Sequence, residues 1–423
     1  MKLSYWKVVT VGFAFFLIQT FWTSYDAIVP LILENKFNMS QTLSGAIMAL
    51  DNALSLFLLP LFGAISDKVN SKYGRRTPFI FVGTILAAIL YIGITVVDTL
   101  WIFIIILLVT LISMAIFRSP AVALMPDVTV KPHRSKANAI INLMGTVGGM
   151  AALGLGIVFK TSEEGKTDFT YYVIAIGMVM LVALIIFLIT VKENKWVLEM
   201  QENTKKYFLD KEVEEREESG GKLSKGQLKS LIFILASVAL WYTGYNAVTS
   251  KYSLYASEVL KQEFNLTLII AQAAALIAFF PVGIIASKVG RKKTIIAGVL
   301  MLTFAFGAAI FMSADTPAYF MYILFSLAGI GWATINVNSF PMVVELAKGS
   351  DVGKYTGYYY TASMAAQIIT PILSGAIMDL VGNKTPLFPY ATTFVFLAFV
   401  TMLFVKHGDS RPEKKGFLES LDN

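Results

Sequence analysis

The chain has 423 residues, of which 56% are hydrophobic and 15% are charged, and its mean hydropathy is +0.67. A soluble domain carries closer to about a quarter charged residues, so this composition excludes an ordinary soluble protein and indicates an integral membrane protein. The chain has no cysteine, which excludes disulfides, iron–sulfur clusters and thiol nucleophiles. Its two histidines, His133 and His407, fall in polar loops, so no metal site is expected.

Apolar windows long enough to cross a bilayer as a helix, roughly 20 residues each, recur about twelve times along the chain. The first window contains Asp26 and lacks a small-residue cleavage site, so it is predicted to span the membrane rather than to act as a cleaved signal. The predicted spans, in chain order, are 7–32, 42–65, 78–98, 100–124, 137–160, 169–191, 229–257, 266–287, 294–313, 317–344, 354–381 and 386–406.

These spans divide the chain into two similar halves. Six-helix bundles are predicted at 1–191 and 229–406, with a cytoplasmic linker at 192–228 and a cytoplasmic tail at 407–423. A regulatory docking site is the alternative interpretation of the polar linker. With this topology, 28 of the 35 Lys and Arg lie in the loops and tails of one side, which places both termini in the cytoplasm of a cell-membrane protein. The net charge of +7 therefore reports topology rather than a nucleic-acid partner.

A loop motif occurs twice, about 220 residues apart, at the same place in each half. The first copy runs Gly63-Ala-Ile-Ser-Asp67-Lys68 and, after an insert, Gly74-Arg75-Arg76; the second runs Gly283-Ile-Ile-Ala-Ser287-Lys288-Val-Gly290-Arg291-Lys292. Two homologous bundles enclose a cleft that rocking can open to either side of the membrane. Asp67 is expected to pair with Arg75 and to lock the halves together on the cytoplasmic side, whereas Ser287 lacks the charge for such a lock.

A cytoplasmic gate is predicted from both copies of the motif and from acids near neighbouring span ends. Asp127 and Glu345 lie at the cytoplasmic ends of the fourth and tenth spans and are interpreted as repeat-related. The predicted gate residues are Gly63, Asp67, Lys68, Gly74, Arg75, Arg76, Asp127, Arg134, Ser287, Gly290, Arg291 and Glu345.

The doubled loop resembles the signature of the major facilitator superfamily, Gly-x-x-x-Asp-Arg/Lys-x-Gly-Arg-Arg/Lys. The insert Val-Asn-Ser-Lys-Tyr before Gly74 and the ending Thr77-Pro78-Phe79-Ile narrow the resemblance to glycoside–pentoside–hexuronide:cation symporters, in the branch that includes plant sucrose transporters. The stretch Arg118-Ser-Pro-Ala-Val-Ala-Leu-Met-Pro126-Asp127-Val-Thr129, with Arg134 following, resembles the exit of that family's fourth span.

This resemblance covers all twelve segments. It implies an all-α membrane protein with twelve transmembrane helices in two pseudo-symmetric six-helix bundles, the major facilitator fold. It also implies a secondary transporter that takes up a sugar or glycoside, such as sucrose or an alpha-glucoside, by alternating access and together with H⁺ or Na⁺. Proteins of this fold usually act as monomers.

The sequence departs from the sodium-coupled members of the family at two places. Melibiose permeases carry two acids in the second span where this chain has Ser55 and Leu59, and a hard cation needs several oxygen ligands. A proton is therefore the expected coupling ion, and no other cofactor is expected. Arg118 stands where those permeases place a sugar-binding acid, and the resemblance to the sucrose branch implies that it contacts sugar and takes part in coupling.

Ionisable residues inside the predicted spans are few: Asp26, Asp51, Arg118, Lys251 and Asp379. Each costs on the order of 2.5–3.5 kcal/mol at the centre of the bilayer, so a compensating partner, water or substrate is expected. Asp26 or Asp51 is predicted to carry the transported proton, and movement toward and away from Arg118 would release and load it. The alternative is that these acids form static polar links between helices.

A sugar site needs aromatic faces for C–H surfaces and fixed polar groups for hydroxyls. Polar and aromatic residues concentrate in the first, fourth, seventh and tenth spans, although single aromatics and amides at such positions also serve packing. The predicted substrate-binding residues are Gln19, Trp22, Tyr25, Arg118, Asn142, Trp241, Tyr245, Asn246, Asn336, Asn338 and Gln367.

Two other functions remain as alternatives. The same fold could move another small polar solute or act as an efflux carrier, although Trp- and Asn-rich spans favour a neutral, hydroxylated cargo. A membrane-embedded enzyme needs a nucleophile and base or metal ligands at membrane depth, and the usual sets are missing from the spans. The chain is therefore predicted to be a transporter and not an enzyme.

Overall fold

The computed structural model describes residues 4–130, 133–209, 223–346 and 352–408 and folds them into helices without a strand. One π turn, Ala256–Leu260, extends the end of α8. The α-helices are α1 (Tyr5–Asn35), α2 (Gln41–Lys68), α3 (Thr77–Val96), α4 (Leu100–Val128), α5 (Arg134–Val158), α6 (Thr170–Thr190), α7 (Glu193–Leu209), α8 (Lys225–Tyr255), α9 (Phe264–Val289), α10 (Arg291–Ala309), α11 (Ala318–Val344), α12 (Val352–Val381) and α13 (Leu387–Leu403).

The helices confirm the predicted all-α fold. Eleven of those in the described residues are long and apolar enough to cross a membrane, and the 17-residue α13 occupies the twelfth predicted span. Five helices, α1, α2, α4, α9 and α12, contain the predicted span and run past it, because an apolar window marks only the part of a helix that crosses hydrocarbon. The other helices begin and end within four residues of the predicted bounds. The remaining helix, α7, is polar and lies in the segment predicted to be a linker.

The packing repeats in the two halves. In the first half, α1 packs on α5 and α6, while α2 and α3 both pack on α4. In the second half, α8 packs in the same way on α12 and α13, while α9 and α10 both pack on α11. The halves meet along two matching seams, α2 with α12 and α5 with α9, and along α1 and α8. This pseudo-symmetry places α1, α8 and both seams around a central space.

Two glycines make the seam between α2 and α12 possible. A Cβ on Gly45 would lie 2.0 Å from the carbonyl oxygen of Pro371, and a Cβ on Gly375 would lie 2.1 Å from that of Gln41. Both clashes are with backbone atoms, which no side-chain rotation can relieve. The small residues therefore let the backbones of the two halves touch, as small residues do between membrane helices.

Polar contacts between the halves cluster at the end of the bundle opposite the motif loops. The carboxylate of Asp379 accepts from the backbone N–H of Gln41 at 2.8 Å, at the start of α2. The buried ammonium of Lys251 on α8 donates to the Gln41 carbonyl oxygen at 2.9 Å. On the other seam, Asn265 donates to Thr161 Oγ1 at 2.9 Å. These contacts close the cleft at this end, which we call the tied end.

Candidate functional site

A cavity lies between the halves at the middle of α1 and α8. Its two compartments, of about 290 and 200 Å³, share Gln19, Asp26 and Thr249 and so are neighbouring parts of one space, the central cavity. The larger compartment runs along α1, α5, α8, α9 and α11, and the smaller one reaches α2, α4 and α12. Because both halves line the cavity, any rocking between them changes its shape.

The smaller compartment brings together the charged residues predicted to couple transport to protons. Asp26 lies on α1, Asp51 on α2 and Arg118 on α4. The Arg118 guanidinium lies 5.4 Å from the ring centroid of Trp22, which is within cation–π range. Within the described residues, no ion pair of 4.0 Å or less joins Arg118 to either acid. The three groups therefore line one compartment without neutralising each other by direct contact.

An aromatic wall faces these charges from the second half. Tyr245 on α8 and Trp332 on α11 stack with their ring centroids 3.9 Å apart and an interplanar angle of 12°. Both rings line the larger compartment. Trp241, which the sequence predicted to bind substrate, is only 1% exposed and packs edge-on against Trp332 at 5.2 Å. It supports the wall from behind rather than lining the cavity.

Amide side chains complete the smaller compartment. Gln19, Asn246 and Gln367 line it, and Asn246 Nδ2 donates to the Gln367 carbonyl oxygen at 3.3 Å. This contact links α8 to α12 within the second half. Three predicted amides line neither compartment, and two of them bond along their own helices. They are Asn142, which donates to Asn138 at 2.8 Å, Asn338, which donates to Thr334 at 2.8 Å, and Asn336.

Of the two aromatic residues predicted on α1, only Trp22 lines the cavity. Tyr25 has no exposed surface and packs between Phe21 and Trp22, with centroid distances of 5.9 and 5.4 Å. Its ring belongs to the packed hydrophobic core and does not line the cavity. The polar set facing the cavity is thus smaller than the set that the sequence predicted.

Several lining residues escaped the sequence analysis: Thr23, Asn52, Thr249, Ser250, Gln272 and Trp332. Helical spacing could have found some of them, since Thr23 follows Gln19 by four residues and Thr249 follows Asn246 by three. Gln272 Oε1 and Trp22 Nε1 are buried without a hydrogen-bond partner among the described residues. Buried polar groups are normally hydrogen-bonded, so these two atoms are candidates for ligand contact.

The gate residues of the first half form one ion-pair cluster. Arg76, which is 4% exposed, pairs with Asp67 and donates from Nε to Asp127 at 2.8 Å. Arg75 lies 3.4 Å from Asp127. The expected pairing of Asp67 with Arg75 is thereby corrected, since Arg76 is the side chain that enters between α2 and α4. All four residues belong to one half, so in this conformation the cluster ties α2, α3 and α4 together and does not lock the halves.

Electrostatics favour the charged form of Arg76. Burial opposes that form, but the hydrogen bond and charge of Asp127, together with those of Asp67, outweigh burial and raise the pKa of the guanidinium. Arg134 donates from Nη2 to the Pro126 carbonyl oxygen at 2.9 Å and so satisfies the end of α4. The Gly63 carbonyl oxygen accepts from Arg76 at 3.4 Å, and Lys68 is exposed at the end of α2.

A carboxylate from the predicted linker holds this cluster in place. Glu193, at the start of α7, is 1% exposed and accepts from the backbone N–H groups of Arg75 and Thr77 at 2.8 Å each. It occupies the N-terminus of α3, where negative charge is favoured by the helix dipole. Gly74, with φ +115°, brings the chain against this carboxylate without a side chain in the way. The linker therefore begins docked on the first half.

The gate residues of the second half carry less charge. Arg291 pairs with Glu345 and joins α10 to α11. Ser287 donates only to the Ile284 carbonyl oxygen of its own helix, at 2.7 Å. Gly290, with φ +100°, makes the turn between α9 and α10 in a backbone region that favours glycine. The two copies of the motif are thus similar in position and unequal in charge.

The sequence profile of the Major Facilitator Superfamily matches the chain at residues 11–277 and 233–421. These ranges together cover nearly the whole sequence. No curated protein sequence matches the chain.

Three solved structures illustrate the fold similarity. The chain resembles a peptide transporter, POT, at 12% identity and a TM-score of 0.71, over 94% of this chain and 93% of that one. It resembles the nucleoside transporter NupG at 14% identity and a TM-score of 0.69, over 94% and 100% of the two chains. It resembles the inward-open xylose transporter XylE from E. coli at 15% identity and a TM-score of 0.67, over 98% of both chains. At these identities the similarity shows the fold alone.

Proposed function

Because this chain belongs to the Major Facilitator Superfamily and is a membrane transporter rather than an enzyme, we propose that it moves a sugar or glycoside together with a proton. The observation that carries the proposal is the composition of the central cavity. Two carboxylates and an arginine in the first half face an aromatic wall in the second half. The carboxylates and the arginine suit proton coupling, and the aromatic wall suits the C–H face of a sugar ring.

The charges in the cavity favour coupling to one proton. With Asp26 and Asp51 both ionised, the pair and Arg118 sum to one net negative charge, and one added proton makes the compartment neutral. A neutral compartment is cheaper to carry through the membrane interior than a charged one. Because Arg118 makes no direct ion pair with either acid in the described residues, rocking of α4 against α1 and α2 can change which acid it stabilises.

The polar groups of the cavity favour a neutral, hydroxylated cargo. Gln19, Gln272 and Asn246 offer both donors and acceptors, and Trp22 Nε1 offers a further donor. The stacked rings of Tyr245 and Trp332 offer a flat apolar face next to these groups. Amphipathic pockets of this kind fix ring orientation by stacking and fix hydroxyl positions by hydrogen bonds.

The tied end indicates which state of the proposed transport cycle this conformation represents. With the termini in the cytoplasm, as the placement of Lys and Arg favours, the tied end faces outward and the cavity of this conformation opens inward. Breaking the contacts of Lys251 and Asp379 with Gln41 would then open the outer path. We place the protein in the cell membrane, acting as a monomer.

One observation favours a second cargo class. Arg118 and the two acids offer opposite charges in one compartment, an arrangement that also complements a zwitterion such as a short peptide. A polar solute of this kind, imported or exported, would use the same fold and the same gates.

Counterflow separates the two cargo classes. Proteoliposomes are loaded with an excess of one unlabelled compound, and entry of the labelled compound is followed without an ion gradient. The panel comprises sucrose, maltose, an aryl glucoside, a dipeptide and a nucleoside. The proposal predicts exchange of at least one glycoside and none of the dipeptide or nucleoside. Exchange of the dipeptide or nucleoside without any glycoside would overturn it.

A further inference from the structure

An apolar groove runs along the surface of the second half between two neighbouring helices. It has a volume of about 530 Å³ and lies between α9 and α10, with α11 behind it. Its wall on α9 extends from Ala274 to Val289, about 22 Å at 1.5 Å per residue. That length exceeds the roughly 15 Å half-thickness of a bilayer's hydrocarbon core. The groove is therefore long enough to hold one acyl chain that runs from a membrane surface to the bilayer midplane.

The groove ends at a basic rim. Lys293, at the start of α10, lines the groove, and Lys288, in the last turn of α9, is exposed beside it. Neither lysine has an ion-pair partner within the part of the chain that the structure describes. The acid that the structure shows at this corner, Glu345, pairs with Arg291. Among the described residues, positive charge is therefore in excess where the apolar groove meets the polar edge of the membrane.

At the end of α2 and the start of α3, the matching place in the first half, carboxylates of the protein supply the negative charge. There, Asp67 on α2 pairs with Arg76, and Glu193, three residues beyond the end of α6, occupies the start of α3. At the corresponding positions of the second half stand Ser287 and, three residues beyond the end of α13, Lys406. The two carboxylates that bridge helices in one half thus have no counterpart at these positions in the other.

We propose that the groove and its rim bind one phospholipid with an anionic headgroup, its acyl chain along α9 and its phosphate against Lys288 and Lys293. The phosphate supplies the negative charge that Asp67 and Glu193 supply in the first half. A headgroup held by lysines of two helices bridges α9 to α10 at the motif end. Clusters of basic residues at the membrane surface favour anionic lipids in this way. This site is independent of the transported substrate.

Native mass spectrometry of the full chain, titrated with dioleoyl phosphatidylglycerol or dioleoyl phosphatidylcholine, tests the proposal. The two lipids share acyl chains and differ in net charge. The expected result is one bound phosphatidylglycerol at concentrations where phosphatidylcholine binds roughly tenfold more weakly, because two lysines each favour an anionic surface. K288Q/K293Q should remove the preference, and K68Q/K72Q, which neutralises two exposed lysines at the end of α2 and in the loop before α3 of the first half, should keep it.

A second variant tests the groove itself. Ala297 lines the groove on α10, so A297F should fill it and weaken binding of both lipids without changing any charge. I189F, which introduces the same phenyl ring at an exposed position on α6 away from the groove, is the control and should leave binding unchanged. Equal binding of the two lipids by the wild type, or an undiminished preference in K288Q/K293Q, would overturn the proposal. Full lipid binding by A297F would overturn the assignment of the acyl chain to this groove.

Discussion

At the scale of single residues, proton coupling depends on three charges that the fold holds apart. Asp26, Asp51 and Arg118 come from three helices of the first half and line a compartment of about 200 Å³. A charge inside a membrane helix costs several kcal/mol unless it is compensated. Here compensation comes from the whole compartment rather than from one tight ion pair, so the charge balance can change during transport.

Neutralising the acids should separate accumulation from exchange. We expect D26N or D51N to abolish proton-driven accumulation of substrate while equilibrium exchange persists, because an amide keeps the shape of the side chain but cannot take up a proton. Uptake into proteoliposomes with and without a pH gradient measures the difference. D98N, which neutralises a highly exposed loop acid, is the control and should leave both activities intact. Full accumulation in both variants would make the acids static polar links.

The aromatic wall makes a second prediction at this scale. W332A should weaken substrate binding about tenfold, since an aromatic contact contributes on the order of 1 kcal/mol beyond its buried area. W332F should lose less, because it keeps a flat face against Tyr245. Binding affinity from intrinsic fluorescence quenching or counterflow half-saturation measures the loss. W101A, on the lipid-exposed surface, serves as the control, and an equal loss there would contradict a specific role for Trp332.

The charged residues that line the cavity are identifiable from the sequence, but only part of the aromatic wall is. Asp26 and Arg118 were identifiable because a charge in an apolar segment is rare and costly. Trp332 was not, because a single aromatic residue in an apolar span serves packing as readily as substrate binding. Whether its ring or that of Trp241 faces the cavity depends on how α8 crosses α11, and no local pattern encodes that crossing.

At the scale of elements, the structure shows a feature that the sequence did not predict, a linker helix that docks on the first half. The polar composition of 192–228 indicated a solvated connection, yet α7 begins with a carboxylate buried against α3. The partners of Glu193 lie more than a hundred residues earlier in the chain, so a contact of this kind depends on tertiary structure. The later part of the linker, from Asp210 to Lys222, lies outside the described residues.

Removing this carboxylate should destabilise the first half. We expect E193A to lower the free energy of unfolding by about 1–3 kcal/mol or more, because it leaves buried backbone N–H groups without an acceptor. E199A removes a partly exposed ion pair with Lys7 and should cost less than about 1 kcal/mol. Thermal unfolding in detergent, followed by intrinsic fluorescence, compares the two. A smaller shift for E193A than for E199A would contradict the docking account.

At the scale of the whole molecule, the two halves are held together at one end. Gly45 and Gly375 bring α2 and α12 into backbone contact there, and Lys251 and Asp379 both bond to Gln41. The repeated motif indicated two bundles and a cleft, which the fold confirms. It could not indicate which end of the cleft is closed, because the closing residues lie outside both copies of the motif.

Weakening the tied end should open the outer path. K251M removes two hydrogen bonds to Gln41, each contributing about 0.5–1.5 kcal/mol, so we expect roughly tenfold faster labelling of Q272C in the cavity by an impermeant thiol reagent added outside. The chain has no cysteine of its own, which makes the labelling specific. K36M, whose lysine bonds to Thr95 and Asp98 within the first half, is the matched control. Equal labelling in K251M and K36M would show that Lys251 does not hold the cleft closed.

The most direct test of proton-coupled glycoside transport is proton movement on addition of substrate. Proteoliposomes that contain the protein and a trapped pH indicator receive the glycoside identified by counterflow, with no initial pH gradient. Proton-coupled transport predicts acidification of the lumen that depends on the glycoside, saturates with its concentration and is absent in D26N or D51N. Glycoside entry without any change in luminal pH would contradict it.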